Sequence, residues 1–288
     1  MQPSIHFVSG LPRSGSTLLL NLLGQNPAHH VTPTNGLINM VAGIRDGWTR
    51  NDAFKAQGLD KVHPRIGSSI RGMMYGFYER ELTAQKVVFD KNRGWVAFLE
   101  VLDESFGRPM KAIVTVRDMK AIVASFEKLH RANPLYRHPY LGEAYFAAQT
   151  IEGRARVLLD PKSMVGIAVN RVRDAMNRGT RDHLVLVPYG WLTTNPQGLL
   201  LHLHETLNLP SFEYDPNNVE QITVEDDLVH GWGPKLHQIR AKVEPPASAP
   251  WEGILPPHVC QWLDKEYADI NQLARLGPLP IPKEGGED

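Results

Sequence analysis

The sequence predicts an α/β protein of three layers, with helices covering both faces of a central parallel sheet. Four short runs rich in Val and Ile indicate buried strands, at residues 5–9, 86–89, 111–116 and 184–187. Segments with the apolar spacing of helices separate these runs, and such alternation is typical of parallel strands joined by helices. A chain of 288 residues fits one domain of this class, spanning residues 1–288.

Several helices can be placed from the spacing of their apolar residues. Residues 95–106 and 119–129 each present an apolar stripe with helical period. Asn195 followed by Pro196 predicts an N-cap and a first helical position. Residues 259–273 predict a further amphipathic helix.

Two stretches, residues 45–80 and 130–160, carry weaker patterns and more aromatic residues, Gly and His. We expect them to form partly helical lid insertions over one end of the sheet, on the substrate side. Residues 283–288 are polar and contain glycine, which predicts a flexible tail.

Charge and cysteine content exclude several functional classes. Lys plus Arg and Asp plus Glu number 31 each, so the net charge is zero, which argues against a dedicated nucleic-acid binder. The single cysteine, Cys260, has no partner for a disulfide or a zinc cluster and suits a reducing compartment. No stretch reaches the roughly 18 apolar residues of a membrane span, and residues 1–10 do not read as a secretory signal. We therefore expect a cytoplasmic protein without a membrane span.

A glycine loop, GLPRSGST at residues 10–17, joins the first predicted strand to a Leu-rich helix. Backbone N–H groups of such a loop converge on an anion, and the helix N-terminus adds its positive end. The spacing matches the phosphate loop of nucleotide-binding proteins, except that Ser16 takes the position of the lysine that reaches the β- and γ-phosphates of ATP. The loop therefore favours the phosphate of a different nucleotide, with Arg13 as its cation.

A second motif follows the third predicted strand. Arg117 comes directly after this strand, and Ser125 stands eight positions later, about two helical turns. Open α/β sheets bind ligands beyond the carboxyl ends of their strands, so both side chains could share one phosphate there. Taken alone, the pair is weak evidence, because Arg117 and Asp118 could form a surface ion pair and Ser125 could be a packed small residue.

The two motifs together, in this order and separated by a further strand, resemble those of the PAPS-dependent sulfotransferases, where PAPS is 3′-phosphoadenosine 5′-phosphosulfate. In that family a P-x-S-G-[ST]-T loop holds the 5′-phosphosulfate, and residues 12–17 read PRSGST. The arginine in the loop is closer to tyrosylprotein sulfotransferases and many bacterial members than to the cytosolic small-molecule enzymes, which carry lysine. The resemblance implies a P-loop NTPase-like fold, PAPS as co-substrate, PAP as product and no metal.

The resemblance also assigns residues to the two ends of the nucleotide. The 5′ end is expected to bind to loop residues, namely Arg13, Ser14, Gly15, Ser16 and Thr17. The 3′-phosphate is expected to bind to Arg117 and Ser125.

Two later stretches agree with the resemblance. Residues 184–192, LVLVPYGWL, match a family stretch whose tyrosine lies near the nucleotide, here Tyr189, with Gly190 in place of the usual glutamate. The basic residues 231–240 resemble a segment that closes over the nucleotide, which makes Lys235 and Arg240 further candidates for the 3′-phosphate side.

Sulfuryl transfer moves SO₃ in line from a phosphate oxygen to an acceptor, so positioning and electrostatics do most of the catalytic work. We expect Arg13 and the loop amides to hold the 5′-phosphate and its leaving oxygen. Lys91, just after a predicted strand, resembles the family lysine that contacts the sulfonate.

The general base stays open at this point. The cytosolic enzymes use a histidine two residues after the lysine, where this chain has Arg93, and the tyrosylprotein enzymes use a glutamate after the first helix, where residues 29–35 hold no carboxylate. Among the candidates by chemistry, His30 and Asp90 lead. The full set of candidates is His29, His30, Asp46, His63, Glu79 and Asp90.

Two other functions remain open: a P-loop kinase or other nucleotide phosphotransferase, and a non-catalytic PAP-binding module. Ser16 in the lysine position argues against the first, and the presence of Arg13 and Lys91 argues against the second. The acceptor, whether a small molecule, lipid, sugar or peptide, cannot be read from the residues.

Overall fold

The computed structural model describes residues 4–132, 134–135, 141, 144, 146–227, 229, 236–246, 248–275 and 277. Within them, five parallel strands form one sheet in the order β2-β3-β1-β4-β5. The predicted α/β class with a central parallel sheet is confirmed. The strands are β1 (Ile5–Gly10), β2 (His29–Thr34), β3 (Val87–Lys91), β4 (Ala112–Val116) and β5 (Leu184–Pro188).

The sequence predicts four strands, whereas the described residues form five, because β2 was not predicted. This strand reads HHVTPT and lacks a run of apolar β-branched residues. It forms one edge of the sheet, and its register against β3 shifts between Val31 and Thr34, on either side of Pro33. An edge strand with an irregular register tolerates a proline, which cannot donate a ladder hydrogen bond.

Side chains of the sheet alternate between two cores. Phe7, Val114 and Leu186 point to one face, and Val8 and Ile113 point to the other. Helices cover both faces, which completes the three layers. They are α1 (Ser16–Leu23), α2 (Leu37–Gly47), α3 (Asp52–Gln57), α4 (Leu59–Phe77), α5 (Glu79–Thr83), α6 (Leu99–Phe106), α7 (Met119–Ala132), α8 (Ile151–Leu159), α9 (Met164–Asn177), α10 (Tyr189–Thr194), α11 (Pro196–Thr206), α12 (Pro257–Glu266) and α13 (Ala268–Arg275).

The predicted helices are present with changed bounds. The pattern at residues 95–106 begins as a single 3₁₀ turn before α6, and the pattern at 259–273 divides into α12 and α13 at Tyr267. Asn195 caps α11 as expected, because its side-chain oxygen accepts a hydrogen bond from the Gly198 N–H at 3.0 Å. None of the described helices is both long enough and apolar enough to cross a membrane.

The described residues of the two predicted insertions include several helices joined by turns and irregular residues. Residues 45–80 contain α3, α4 and the end of α2, and residues 130–160 contain the end of α7 and α8. Parts of the second insertion and the predicted tail at 283–288 lie outside the described residues. That these insertions face a substrate stays a prediction.

A segment without helix or strand in its described residues crosses α1 after α11 (residues 215–246, here called the crossing segment). Asn21 of α1 anchors it: its side-chain oxygen accepts from the Ile222 N–H at 2.6 Å, and its amide nitrogen donates to the Thr223 hydroxyl at 2.8 Å. The segment also folds back on itself, since the Val219 N–H donates to the Ala241 oxygen at 2.6 Å. It therefore packs against α1, the helix that connects β1 to β2.

Candidate active site

The loop after β1 and the turn after β4 meet at the carboxyl edge of the sheet. The chain leaves β1 toward β2 on one side and leaves β4 toward β5 on the other, and ligands bind in α/β sheets where connections diverge in this way. The Leu11 N–H donates to the Thr115 oxygen at 2.9 Å. A Cβ on Gly10 would lie 2.4 Å from that same oxygen, so only glycine allows this close approach.

The loop delivers free backbone donors to this edge. Gly15 has φ +94° and caps α1 without a side-chain hydrogen bond, so the first N–H groups of the helix are left for an anion. A Cβ on Gly15 would lie 2.7 Å from the Tyr189 ring, and glycine is again required. Arg13 has φ +61°, an uncommon backbone conformation for a residue with a side chain and one that recurs at ligand-binding turns.

Ser14 differs from its sequence-based assignment. Its hydroxyl is fully buried and is used inside the loop, with the Thr115 hydroxyl at 2.6 Å and the Leu11 oxygen as partners. The side chain of Ser14 therefore holds the loop to β4 and is not available to a ligand. A contact from Ser14 to a nucleotide would come from its backbone N–H.

The two sequence motifs, more than a hundred residues apart, form one network. The Arg13 Nε donates to the Ser125 hydroxyl at 3.0 Å, and the Arg117 Nη1 donates to the backbone oxygen of Arg13 at 2.9 Å. The Arg117 guanidinium also stacks on Tyr189, 4.1 Å from the ring centroid. Burial lowers the pKa of Arg13, and Arg117 adds to the effect. Arg13 and Arg117 are two positive charges held close together and half-buried, so a bound anion would offset their repulsion.

A cleft of about 510 Å³ opens beside this network. Among the residues assigned from the sequence, Arg13, Gly15, Ser16, Thr17, Arg117, Ser125, Tyr189 and Arg240 line it. Arg240 is largely exposed and faces Glu244 at 3.5 Å. Lys235 lies outside the described residues.

Lys91 ends β3 beside the cleft but does not line it. Its Nζ lies 3.2 Å from Glu225 Oε1, and the two side chains are only 3% and 8% exposed. Burial lowers the pKa of Lys91 to about 8, although Glu225 opposes the shift. The lysine is therefore protonated at neutral pH and pairs with a carboxylate of the crossing segment.

The leading base candidates from the sequence are placed elsewhere. Asp90 is fully buried and accepts hydrogen bonds from Trp95 Nε1 at 2.6 Å, Asn35 Nδ2 at 2.8 Å and the Tyr78 hydroxyl. Burial raises its pKa, and Asp90 is not among the residues that line the cleft. His30 lines a separate cavity of about 350 Å³. Asp90 is thus an internal anchor and His30 faces another pocket, and the role of either as the base stays a prediction.

The remaining base candidates are also absent from the cleft lining. His29 is the first residue of β2 and is buried, and its Nδ1 donates to the Leu23 oxygen at 2.9 Å. Asp46 pairs with Arg45, and His63 and Glu79 are exposed on the helices of the first insertion.

Sequence reasoning missed four charged or titratable residues at the site: Arg93, Glu225, Asp227 and His237. Arg93 lines the cleft, and its buried Nε has no hydrogen-bond partner among the described residues, while its Nη1 contacts the Met164 sulfur at 3.2 Å. A signal existed for Arg93, which stands where the cytosolic sulfotransferases that the motifs resemble place a histidine. His237 lies within the basic residues 231–240 but had no role assigned there, and no local pattern marks Glu225 or Asp227.

Comparisons with known proteins bear on the family and on the fold. A family model described as "Sulfotransferase family" matches residues 6–214. Among solved structures, the chain is similar to the sulfotransferase domain of the Synechococcus PCC 7002 olefin synthase, at 20% identity over 93% of this chain and 95% of that one, with a TM-score of 0.52. It is also similar to the sulfotransferase domain of the curacin biosynthetic pathway, at 19% identity over 92% and 98%, with a TM-score of 0.54. No curated protein matches the sequence.

Proposed function

The chain belongs to the sulfotransferase family, and on that premise we propose that it transfers a sulfuryl group from PAPS to a hydroxyl or amine acceptor by in-line displacement. The observation that carries the choice of donor is the joined network of Arg13, Ser125 and Arg117 at the loop. It offers one continuous anionic site to a nucleotide with phosphates at two positions. ATP carries all its phosphates in one chain on the 5′ carbon, so it has no phosphate for the second position, at Arg117 and Ser125.

The residues present fit such a nucleotide. The free N–H groups at the start of α1, with Arg13, Ser16 and Thr17, suit the 5′-phosphate. Arg117 and Ser125 suit the 3′-phosphate, with Arg240 at the rim, and Lys235 stays a candidate from the sequence. Tyr189, stacked under Arg117, borders the same cleft.

Each side chain then has a defined task. PAPS supplies the sulfuryl group and a phosphate leaving group. Arg13 and the loop amides stabilise the negative charge that grows on the leaving oxygen. Arg93, with its unpartnered buried Nε, offers a cation to the sulfonate oxygens. Lys91 offers a second cation when its ion pair with Glu225 opens. These cations supply charge stabilisation without requiring a metal.

The proposal is tested by thermal unfolding with PAP, AMP and ATP–Mg²⁺ at equal concentrations. A ligand that binds only the folded state stabilises it by RT ln(1 + [L]/Kd), so a concentration of 100 Kd contributes about 2.7 kcal/mol. We expect PAP to raise the melting temperature most. Turnover is then followed as PAP formed from PAPS with a panel of phenols, alcohols and amines.

The alternatives predict other results. Stabilisation by ATP–Mg²⁺ and none by PAP would refute the donor and favour a phosphotransferase. Binding of PAP without any transfer, including to water, would indicate a non-catalytic nucleotide-binding module.

A further inference from the structure

None of the base candidates from the sequence lines the cleft beside the phosphate loop, whereas His237, a histidine with no role assigned so far, does. We propose that His237 is the general base of the transfer, and that Asp227 is the residue that orients it. This inference rests on the proposed function and deepens it. Neither residue lies within the family match at residues 6–214.

Asp227 fixes the histidine ring. Its Oδ1 lies 2.5 Å from His237 Nδ1, and its Oδ2 accepts from the His237 backbone N–H at 3.2 Å. Both side chains are nearly buried, at 7% and 12% exposure. A carboxylate at Nδ1 holds the proton on that nitrogen, so Nε2 carries the lone pair. Nε2 has no hydrogen-bond partner among the described residues.

The histidine stands next to the group that holds the leaving phosphate in the proposed function. His237 lines the same cleft as Arg13, Ser16 and Thr17. The residue before it, Leu236, accepts a hydrogen bond through its backbone oxygen from Arg13 Nη1. Through this contact the histidine is attached to the residue proposed to hold the leaving phosphate, which suits a base that must reach the acceptor proton.

Burial, helped by Lys91, keeps the ring neutral at physiological pH. Burial lowers the pKa of His237 and Lys91 lowers it further, while Asp227 and Glu225 oppose them. Glu225 Oε1 lies 3.4 Å from Nδ1 and bridges to Lys91. The net effect places the pKa below its usual range. The unprotonated form therefore predominates at pH 7, where a base must accept a proton.

The step balances as follows. The acceptor O–H gives its proton to His237 Nε2 while its oxygen forms the new bond to sulfur. The bond between sulfur and the bridging phosphate oxygen breaks, and its electron pair stays on the phosphate of PAP. The imidazolium formed is stabilised by Asp227 and returns its proton to solvent.

Glu225 is the rival within the cluster. Burial raises its pKa, but Lys91 and His237 outweigh burial and hold the pKa below its usual range. A carboxylate paired with a buried lysine is a weak base, and the geometry assigns it instead to holding Lys91 in place.

The test compares His237→Gln with a matched control, His183→Gln. His183 also faces an aspartate, Asp103, at 3.4 Å, but it lies just before β5 at the opposite edge of the sheet. Rates are measured as PAP formed from PAPS with an aliphatic alcohol, a series of phenols of rising acidity, and water. We expect His237→Gln to lower kcat roughly 10²–10⁴-fold with the alcohol and progressively less with more acidic phenols, which need less help in losing a proton. His183→Gln should match the wild type.

The pH dependence separates catalysis from folding. The acid limb of kcat/KM should disappear in His237→Gln. In Asp227→Asn it should move to lower pH, because the carboxylate that raises the pKa of His237 is gone. A merely structural role of Asp227 would lower the rate without moving the limb.

Each other outcome overturns the assignment. Equal losses with every acceptor, or wild-type rates in His237→Gln, exclude His237 as the base. Loss of the acid limb in Glu225→Gln but not in His237→Gln makes Glu225 the base. If wild-type protein fails to bind PAP or to transfer sulfate to any acceptor, the proposed function itself fails, and the base assignment fails with it.

Discussion

Replacement of Arg117 by alanine offers the sharpest test of the donor site. The change removes a guanidinium that stacks on Tyr189 at 4.1 Å and donates to the Arg13 oxygen at 2.9 Å. A hydrogen bond to a charged group contributes roughly 1.5–3 kcal/mol, which converts to about 10- to 150-fold in affinity. We therefore expect Arg117→Ala to weaken PAP binding by that factor in isothermal titration calorimetry at fixed ionic strength.

The choice of ligand assigns the effect to one phosphate. AMP has the 5′-phosphate but no 3′-phosphate, so its affinity should change far less in Arg117→Ala. Arg173→Ala is the control, because Arg173 also stacks on a tyrosine, Tyr267, at 5.0 Å but pairs with Asp269 away from the cleft. It should bind PAP like the wild type.

Two results would refute the reasoning. Unchanged PAP affinity in Arg117→Ala would show that this arginine does not contact the nucleotide. Equal weakening of PAP and AMP would show that Arg117 acts only by holding the loop through Arg13, and the assignment to the 3′-phosphate would fail.

Three further predictions concern the loop and the interior. Gly15→Ala should weaken PAP binding about tenfold or more, because it adds roughly 1–2 kcal/mol of backbone strain and displaces Tyr189. The control is Gly107→Ala, which also has a positive φ, +66°, but has open space around it and should leave PAP binding unchanged. Ser14→Ala should lower the free energy of unfolding by about 1–3 kcal/mol in urea titrations, because it leaves buried partners unpaired; an unchanged midpoint would contradict the buried hydroxyl. Burial lowers the pKa of His29 from 6.5 to about 4, so the folded protein resists its protonation; its contribution to the free energy of unfolding is complete above pH 6.5 and falls by roughly 3 kcal/mol as the pH drops to 4. The free energy of unfolding, measured across this pH range, should fall less in His29→Gln than in the wild type. Equal losses would disprove the assignment.

Most of the sheet could be predicted because buried parallel strands need uninterrupted apolar residues. That requirement produces the runs at β1, β3, β4 and β5. Strand β2 has no such requirement, because it lies at the edge, where two histidines and Pro33 are tolerated. Its pattern carries no signal that a sequence reading can use.

The site divides in the same way. The loop, Arg117 and Ser125 are local motifs at strand ends, and the topology of a parallel sheet brings strand ends together. The cluster around Lys91 depends on tertiary contacts instead, since its partner Glu225 stands 134 positions later in a stretch without regular structure. Asp227 lies in the same stretch, where neither periodicity nor spacing points to it, and His237 lies in residues 231–240, which only the family resemblance singled out.

The crossing segment has a consequence for how such proteins diverge. The family match ends at residue 214, so it includes the loop, Arg117 and Tyr189 but precedes Glu225, Asp227 and His237. The proposed donor site falls to the first set, and the proposed base falls to the second. The second set lies on a stretch that is anchored to α1 through Asn21 and that packs Val219 into the core on that face of the sheet. A change of the proposed base must therefore keep that packing, whereas the loop, Arg117 and Tyr189 stand outside the stretch that carries it.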